Sequence, residues 1–314
     1  MITLGAVYGF AGLLFAAYAG LNWADRAQPH RLGNAAFWGL MALEMLAGER
    51  IGDLANGLVV VALGLLAALR LTGPGTETEG VAEQRAGRAA RHGNGLFVLA
   101  MVIPLAVLGL TMLFAAQPAL VEPKQGGIVA LALGALLALV LALVVLRAHP
   151  RVAMAEGRRL IDAVGWAAVL PQALVALGAV FALAGVGEAV GHLFALAIPD
   201  GSLAGAVLAY GLGMALFTVA LGNAFAAFPV MFAGVGLPLL VRAHHGDPAV
   251  VAAVGMLAGF CGTLLTPMAA NFNLVPAALL ELRDRNAVIR AQVGTALPLL
   301  AANLLFIWLF AFRG

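Results

Sequence analysis

Between Leu203 and Leu280 the chain carries two formal charges, Arg242 and Asp247, and both sit in one short loop. A soluble helix or sheet of that length would need a charged or polar face turned to water, and none can be drawn here. The same economy runs through the whole chain, which is 63% hydrophobic and 10% charged, where soluble domains carry about 25% charged residues. In hydrocarbon every backbone N–H and C=O has to be paired inside the segment, which favours helices. Apolar runs fall at 2–22, 34–48, 54–71, 96–116, 127–147, 163–186, 189–199, 203–221, 224–241, 249–265, 267–280 and 295–312. A crossing needs about 20 apolar residues, so these runs predict an all-α polytopic membrane protein with roughly nine to eleven membrane segments. Runs 34–48, 189–199 and 267–280 are too short to cross alone and are expected to pair with a neighbour or to be re-entrant. Met1 to Leu21 lacks a basic leader and a small-residue cleavage site, so it reads as the first span and not a signal peptide.

The net charge is +2, and the basic residues sit in loops, where they report orientation and not nucleic-acid binding. Loop 23–33 holds Arg26 and Arg31. Loop 72–95 holds Arg85, Arg88 and Arg91 together with Glu77, Glu79 and Glu83. Loop 147–162 holds Arg147, Arg151, Arg158 and Arg159. Each is two spans from the next, so all three face one side, and the positive-inside rule makes that side cytoplasmic and puts the N-terminus outside. Loop 281–292, with Arg283, Arg285 and Arg290, is expected on the same side, which requires an even number of crossings between 163 and 280. Three regions follow: residues 1–147 as a scaffold or subunit-contact region of plain apolar helices, 148–162 as a basic cytoplasmic linker, and 163–314 as the working half. Arg makes up nearly all of the basic residues, and Ala and Gly abound, which resembles coding from a GC-rich bacterium.

The working half is distinguished by its interruptions. Gly222-Asn223 breaks an apolar stretch between 203–221 and 224–241. Gly permits a sharp turn and Asn caps a following helix, so the two segments form a helical hairpin with its tip at Gly222-Asn223 and Pro229 in its second arm. The alternative is an ordinary tight loop at the surface, but the short polar tip and the second broken segment nearby favour a re-entrant hairpin whose tip stops at mid-depth, where its backbone has to be covered by protein or water. Some forty residues on, Gly262-Thr263-Leu264-Leu265-Thr266-Pro267 makes a second break. Thr266 as N-cap and Pro267 at the first position predict a half-helix starting there, with its positive end available to an anion. Asn271 and Asn273 cannot share one helix face, so at least one is expected to turn away from lipid. Pro276 removes the donor for the Phe272 carbonyl, a candidate ligand for Na⁺ alongside Asn223. Such pairs of Gly/Pro-interrupted segments are the sequence pointer to a midplane binding site. The lining is amides, hydroxyls and dipoles without carboxylates, which suits a small organic anion better than a proton relay.

Other polar residues carry competing readings. Gln172, in Leu170-Pro171-Gln172, either reaches a ligand carbonyl or is satisfied by a neighbouring helix. Asp162 and Glu188 are expected at the membrane interface. Glu44 is an acid well inside an apolar run, which is a functional candidate by position, but its nearness to Glu49 and Arg50 favours snorkelling to the interface. Gly255-xxx-Gly259 is a small-xxx-small packing pattern. The single cysteine, Cys261, excludes an internal disulfide and reads as a small packing residue. The six His show no metal-ligand spacing, and there is neither a P-loop nor a GxSxG motif. No catalytic residues, metal site or cofactor are therefore expected, and the chain does not read as an enzyme.

At Gly165-Trp166-Ala167-Ala168-Val169-Leu170-Pro171-Gln172, Leu221-Gly222-Asn223-Ala224-Phe225-Ala226-Ala227-Phe228-Pro229 and Gly259 to Asn273, the chain resembles the domain-of-unknown-function 979 family of bacterial membrane proteins. The resemblance covers most of the chain and is strongest from 160 to 312. It implies a subunit of a 5-oxoproline (pyroglutamate) transporter in the bacterial cytoplasmic (inner) membrane, working with a smaller membrane protein of the domain-of-unknown-function 969 type. It also implies kinship with the ion-transporter superfamily of carboxylate carriers, in which two inverted repeats each supply a hairpin tip and a broken helix. Gly222-Asn223-Ala224 is similar to the tip of that superfamily, with Gly and Ala in place of hydroxyls. This chain holds one clear tip-plus-break set, so the second is expected from the partner or from another copy of the chain. The expectation is a secondary-transporter subunit coupled to Na⁺ or H⁺, with Asn223, Thr263, Thr266, Asn271, Asn273 and Gln172 at the site. The rival is a scaffold subunit that assembles a carrier without transporting.

Overall fold

The computed structural model describes residues 1–75, 86–87, 89–197, 201–280 and 282–312. The expected loop charges Glu77, Glu79, Glu83, Arg85 and Arg88 lie outside them. Among the described residues, eight helical stretches are long and apolar enough to cross a membrane, and the only strand-like pairing is a one-residue bridge from Ile2 to Val121. The chain divides into two compact units, Met1–Gly165 and Trp166–Gly314.

The first unit contains α1 (Leu4–Ala24), α2 (Arg31–Ala68), α3 (Gly95–Ala116), α4 (Gly126–Val145) and α5 (Pro150–Val164). The two runs expected at 34–48 and 54–71 are one helix, α2, broken at Gly52, whose φ of 78° is left-handed. The Asn56 amide donates to the Gly48 carbonyl at 2.8 Å across the break. Glu44, expected to reach the interface, is half-buried about two turns before that break. The start of α1 is held by the α3–α4 connection: Glu122 accepts from Leu4 N at 2.9 Å, and Ile2 N donates to the Leu120 carbonyl at 2.7 Å.

The stretch expected as a loop over 148–162 is instead α5. Pro150 sits in its first turn, and the His149 ring accepts from Arg151 N at 3.2 Å. The helix forms because it has something to bury. Asp162, 2% exposed, accepts from Trp38 Nε1 at 2.7 Å and Asn22 Nδ2 at 3.1 Å. Gly157 lies against the Tyr18 hydroxyl with no room for a side chain. Asp162, which the sequence places at the membrane interface, is also a buried hydrogen-bond centre joining α5 to α1 and α2. Gly165, at φ 51°, ends the helix and the unit.

The second unit contains α6 (Leu170–Leu183), α7 (Val186–Ala197), α8 (Leu203–Leu221), α9 (Ala224–Met231), a π-helical segment (Phe232–Ala243), α10 (Pro248–Thr263), α11 (Ala270–Leu279) and α12 (Ala287–Phe310). Its core is built on Tyr210, Met214, Met231, Leu240, Val251 and Ile307. Tyr210 donates to the Val251 carbonyl at 3.2 Å. The small-residue pattern on α10 does pack closely. Gly255 faces the Tyr210 ring, Gly259 the Met214 methyl, and Gly262 the Ala215 carbonyl, so one glycine face of α10 lies flush on α8. The second arm of the Gly222-Asn223 hairpin is clasped from another side, where Gly178 of α6 meets the Ala226 backbone and Gly187 and Gly191 of α7 meet Gly234.

The Gly222-Asn223 hairpin is present. Its arms are 19 residues in α8 and 20 across α9 and the π segment, each about a full crossing in length. The pair with short arms is α6–α7, of 14 and 12 residues, turning at Gly185 with φ 69°. The short 189–199 run thus pairs with its neighbour.

Candidate functional site

The tip and the break meet in space. Gly222 ends α8 in the left-handed region at φ 76°, and its N–H donates to the Thr218 carbonyl at 2.6 Å. A Cβ at this position would come within 2.5 Å of the Met268 carbonyl, so glycine is required twice, by the turn and by the contact. Asn223 caps α9, its Oδ1 accepting from Phe225 N at 2.7 Å, and only 7% of it is exposed. Its amide N–H groups make no hydrogen bond among the described residues.

The break runs from the end of α10 at Thr263 to the start of α11 at Ala270. The expected half-helix from Thr266 does not form. Pro267 lies in a turn, and α11 begins three residues later without a side-chain cap. The reason is Asn273, whose amide donates to the Thr263 carbonyl at 2.8 Å and the Thr266 carbonyl at 2.7 Å. Holding both carbonyls on one amide bends the chain and is incompatible with continuing a helix through it. The Thr266 hydroxyl, freed from capping α11, donates to the Val219 carbonyl at 2.9 Å and accepts from Met268 N at 3.2 Å. That bond ties the break to the last turn of α8. Thr263 turns its hydroxyl back to the Phe260 carbonyl at 2.6 Å.

Two buried polar atoms in this cluster have no partner among the described residues, Asn273 Oδ1 and Thr218 Oγ1. Both residues are fully buried. Most buried polar groups in native structures are paired, and an unpaired one calls for a ligand, a water or a second conformation. Beside the break lies a cavity of about 380 Å³, lined by Leu257, Phe260, Cys261, Thr263, Phe272 and Asn303, among others. Asn303 of α12 is 5% exposed and donates to Cys261 Sγ at 3.5 Å. The Phe272 carbonyl has no helical donor because Pro276 lies four residues on in α11.

Of the expected site residues, Asn223, Thr263, Thr266 and Asn273 gather at the tip and break. Asn271 is half-buried and Gln172 exposed, and neither makes a hydrogen bond to the cluster. Asn303 and Thr218 were missed. The signal for Asn303 was present, a lone amide deep in the apolar run 295–312, but Thr218 has no distinguishing local pattern. No group of three metal-ligating side chains occurs among the described residues.

Apolar helices of crossing length, with the polar residues of one half drawn into a buried turn, define a polytopic α-helical membrane protein. The chain belongs to the family described as "Protein of unknown function (DUF979)", whose family model matches residues 5–312. Neither a curated protein nor a solved structure matches it.

Proposed function

We propose that this chain is a subunit of a secondary transporter for a small organic carboxylate, with 5-oxoproline the substrate its sequence resemblance implies. The observation that carries the reading is the interlocked tip and break, where buried amide and hydroxyl groups remain unpaired within a nearly charge-free region. Broken helices with freed backbone groups are how transporters hold ions and small anions within the membrane. The carboxylate would meet the uncapped start of α11 at Ala270, where unpaired N–H groups and the helix dipole favour an anion. The lactam amide complements the free N–H groups of Asn223 and the orphaned Oδ1 of Asn273. The Phe272 carbonyl offers an oxygen to Na⁺, and coupling to Na⁺ or H⁺ follows from the transporter reading.

One tip-plus-break set is half of such a site. The other half would come from a smaller membrane subunit of the domain-of-unknown-function 969 type or from a second copy of this chain. The charge distribution of the loops favours the N-terminus outside, and the resemblance implies the bacterial cytoplasmic membrane. The experiment is uptake of labelled 5-oxoproline into proteoliposomes, with and without the partner and a Na⁺ gradient. Asn223→Asp keeps the cap acceptor but removes the N–H donors, and it should abolish uptake while the complex still purifies intact. Full uptake by Asn223→Asp, or uptake by a purified monomer alone, refutes the shared-site reading; loss of assembly with transport intact per complex points to a scaffold.

A further inference from the structure

Within the first unit, the last turns of α1 and the first turns of α5 enclose a groove of about 850 Å³. Its walls are Ala17, Gly20, Leu21 and Ala24 from α1 and Met154 and Ala155 from α5. The mouth is different in kind, being formed by Asp25, Arg151 and Arg158. Arg158 donates to Asp25 at 2.8 Å and to the Leu21 carbonyl at 3.2 Å. That bond holds the Asp25 carboxyl below the usual carboxylate range, so the pair is ionised on both sides and sums to zero. Arg151 is exposed, and its side chain makes no ion pair or hydrogen bond among the described residues. The groove therefore has an apolar body and one uncompensated positive charge at its rim.

Its position along the chain says at what depth it lies. α1 is apolar from Leu4 to Ala24, and Asp25 and Arg26 follow at once. α5 carries five charged residues in fifteen, Arg151, Glu156, Arg158, Arg159 and Asp162, too many for a helix in hydrocarbon and typical of one lying at the membrane surface. The groove thus straddles the boundary between hydrocarbon and headgroups. An occupant there has to be apolar along most of its length and negatively charged at one end. Volumes of roughly 300–1,000 Å³ are those of small-molecule sites, enough for a stretch of acyl chain.

We propose that the α1–α5 groove is a binding site for an anionic phospholipid, with the acyl chain along Ala17, Gly20, Leu21 and Met154 and the phosphate at Arg151. The bound lipid fills the space between α1 and α5 beside the Gly157–Tyr18, Asp162–Asn22 and Arg158–Asp25 contacts, and so fixes the angle between the two helices. Zwitterionic lipid fills the groove equally well but gains less at Arg151, because its headgroup carries its own cation.

The full chain, purified in neutral detergent, is titrated with phosphatidylglycerol and with phosphatidylethanolamine of identical acyl chains and read by native mass spectrometry. The first phosphatidylglycerol should bind about fivefold more tightly, the preference expected for one basic residue near a headgroup. Arg151→Gln, at an exposed and unpaired side chain, should bring it to the phosphatidylethanolamine level. Ala155→Trp, which fills the groove wall, should weaken the first molecule of both lipids. Equal affinity for the two lipids, or an Arg151→Gln variant unchanged in its preference, overturns the proposal. Displacement of the lipid by glycerol 3-phosphate at matching concentrations also overturns it, because the apolar groove would then contribute nothing. So does a dimer whose lipid occupancy ignores Ala155→Trp, because a second copy would then cover the groove.

Discussion

Asn273 is the residue on which the break depends, and its replacement gives the sharpest test of that dependence. Its amide makes two hydrogen bonds of 2.8 and 2.7 Å to the Thr263 and Thr266 carbonyls in a site with no solvent access. Each bond contributes about 1 kcal/mol net, and a buried carbonyl left bare costs a further 1–3 kcal/mol. Thr263 lines the cavity beside the break, so its carbonyl has space in which to recover part of that loss. Asn273→Ala should therefore weaken the closed form of the break by about 3 kcal/mol, which at about 1.4 kcal/mol per factor of ten is roughly a hundredfold in its opening equilibrium. Hydrogen–deuterium exchange resolved to single amides measures this directly, since local opening controls exchange. Leu264, Leu265 and Met268, whose N–H groups lie in the break and bond to Phe260, Gly262 and Thr266, should exchange about a hundred times faster, while Tyr210 and Met214 in the α8 core stay protected. Thr266→Val, which removes the hydroxyl's bonds to the Val219 carbonyl and the Met268 N–H at about 1 kcal/mol each, should give a smaller rise at Leu264 and Leu265, roughly thirtyfold. If Asn273→Ala leaves those three amides within about threefold of the wild-type rate, the amide is not what holds the break, and the geometry argued from it is wrong.

Gly222→Ala forces a Cβ into the left-handed region, at about 1–2 kcal/mol, and against the Met268 carbonyl at 2.5 Å. It should lower the melting temperature in detergent by several degrees, whereas Gly57→Ala, in open space on α2, should not; equal shifts in the two variants contradict the tight contact. Asp162→Ala leaves Trp38 Nε1 without its acceptor and Asn22 Nδ2 with the Tyr18 carbonyl alone, a loss of about 2–4 kcal/mol, and Asp162→Asn, which retains one acceptor oxygen, should lose less than half as much. Thermal unfolding followed by Trp fluorescence reads both, and an Asp162→Ala protein that melts within about one degree of wild type would show that this cluster does not hold α5.

By itself the sequence determined the solvent. Long stretches with no charge leave no polar face, so helices that satisfy their own backbone in lipid follow from composition and run length. It also located the tip and the break, because Gly222, Asn223, Pro267 and Pro276 interrupt a helix through their own backbone chemistry, whatever surrounds them. What each polar side chain is used for was not legible, since hydrogen-bond partners are chosen across the fold. Thr266 next to Pro267 has the local form of a helix cap, yet its hydroxyl bonds to Val219, 47 residues away, and Asn273 supplies both amide hydrogens to the turn. The segment 148–162 shows the same limit in the first unit. Its charges read as a loop until Trp38 and Asn22, more than a hundred residues earlier, are seen to bury Asp162. Backbone interruptions are local properties and can be read from residue types. The pairing of buried polar groups is a property of packing, and only the tertiary structure decided it.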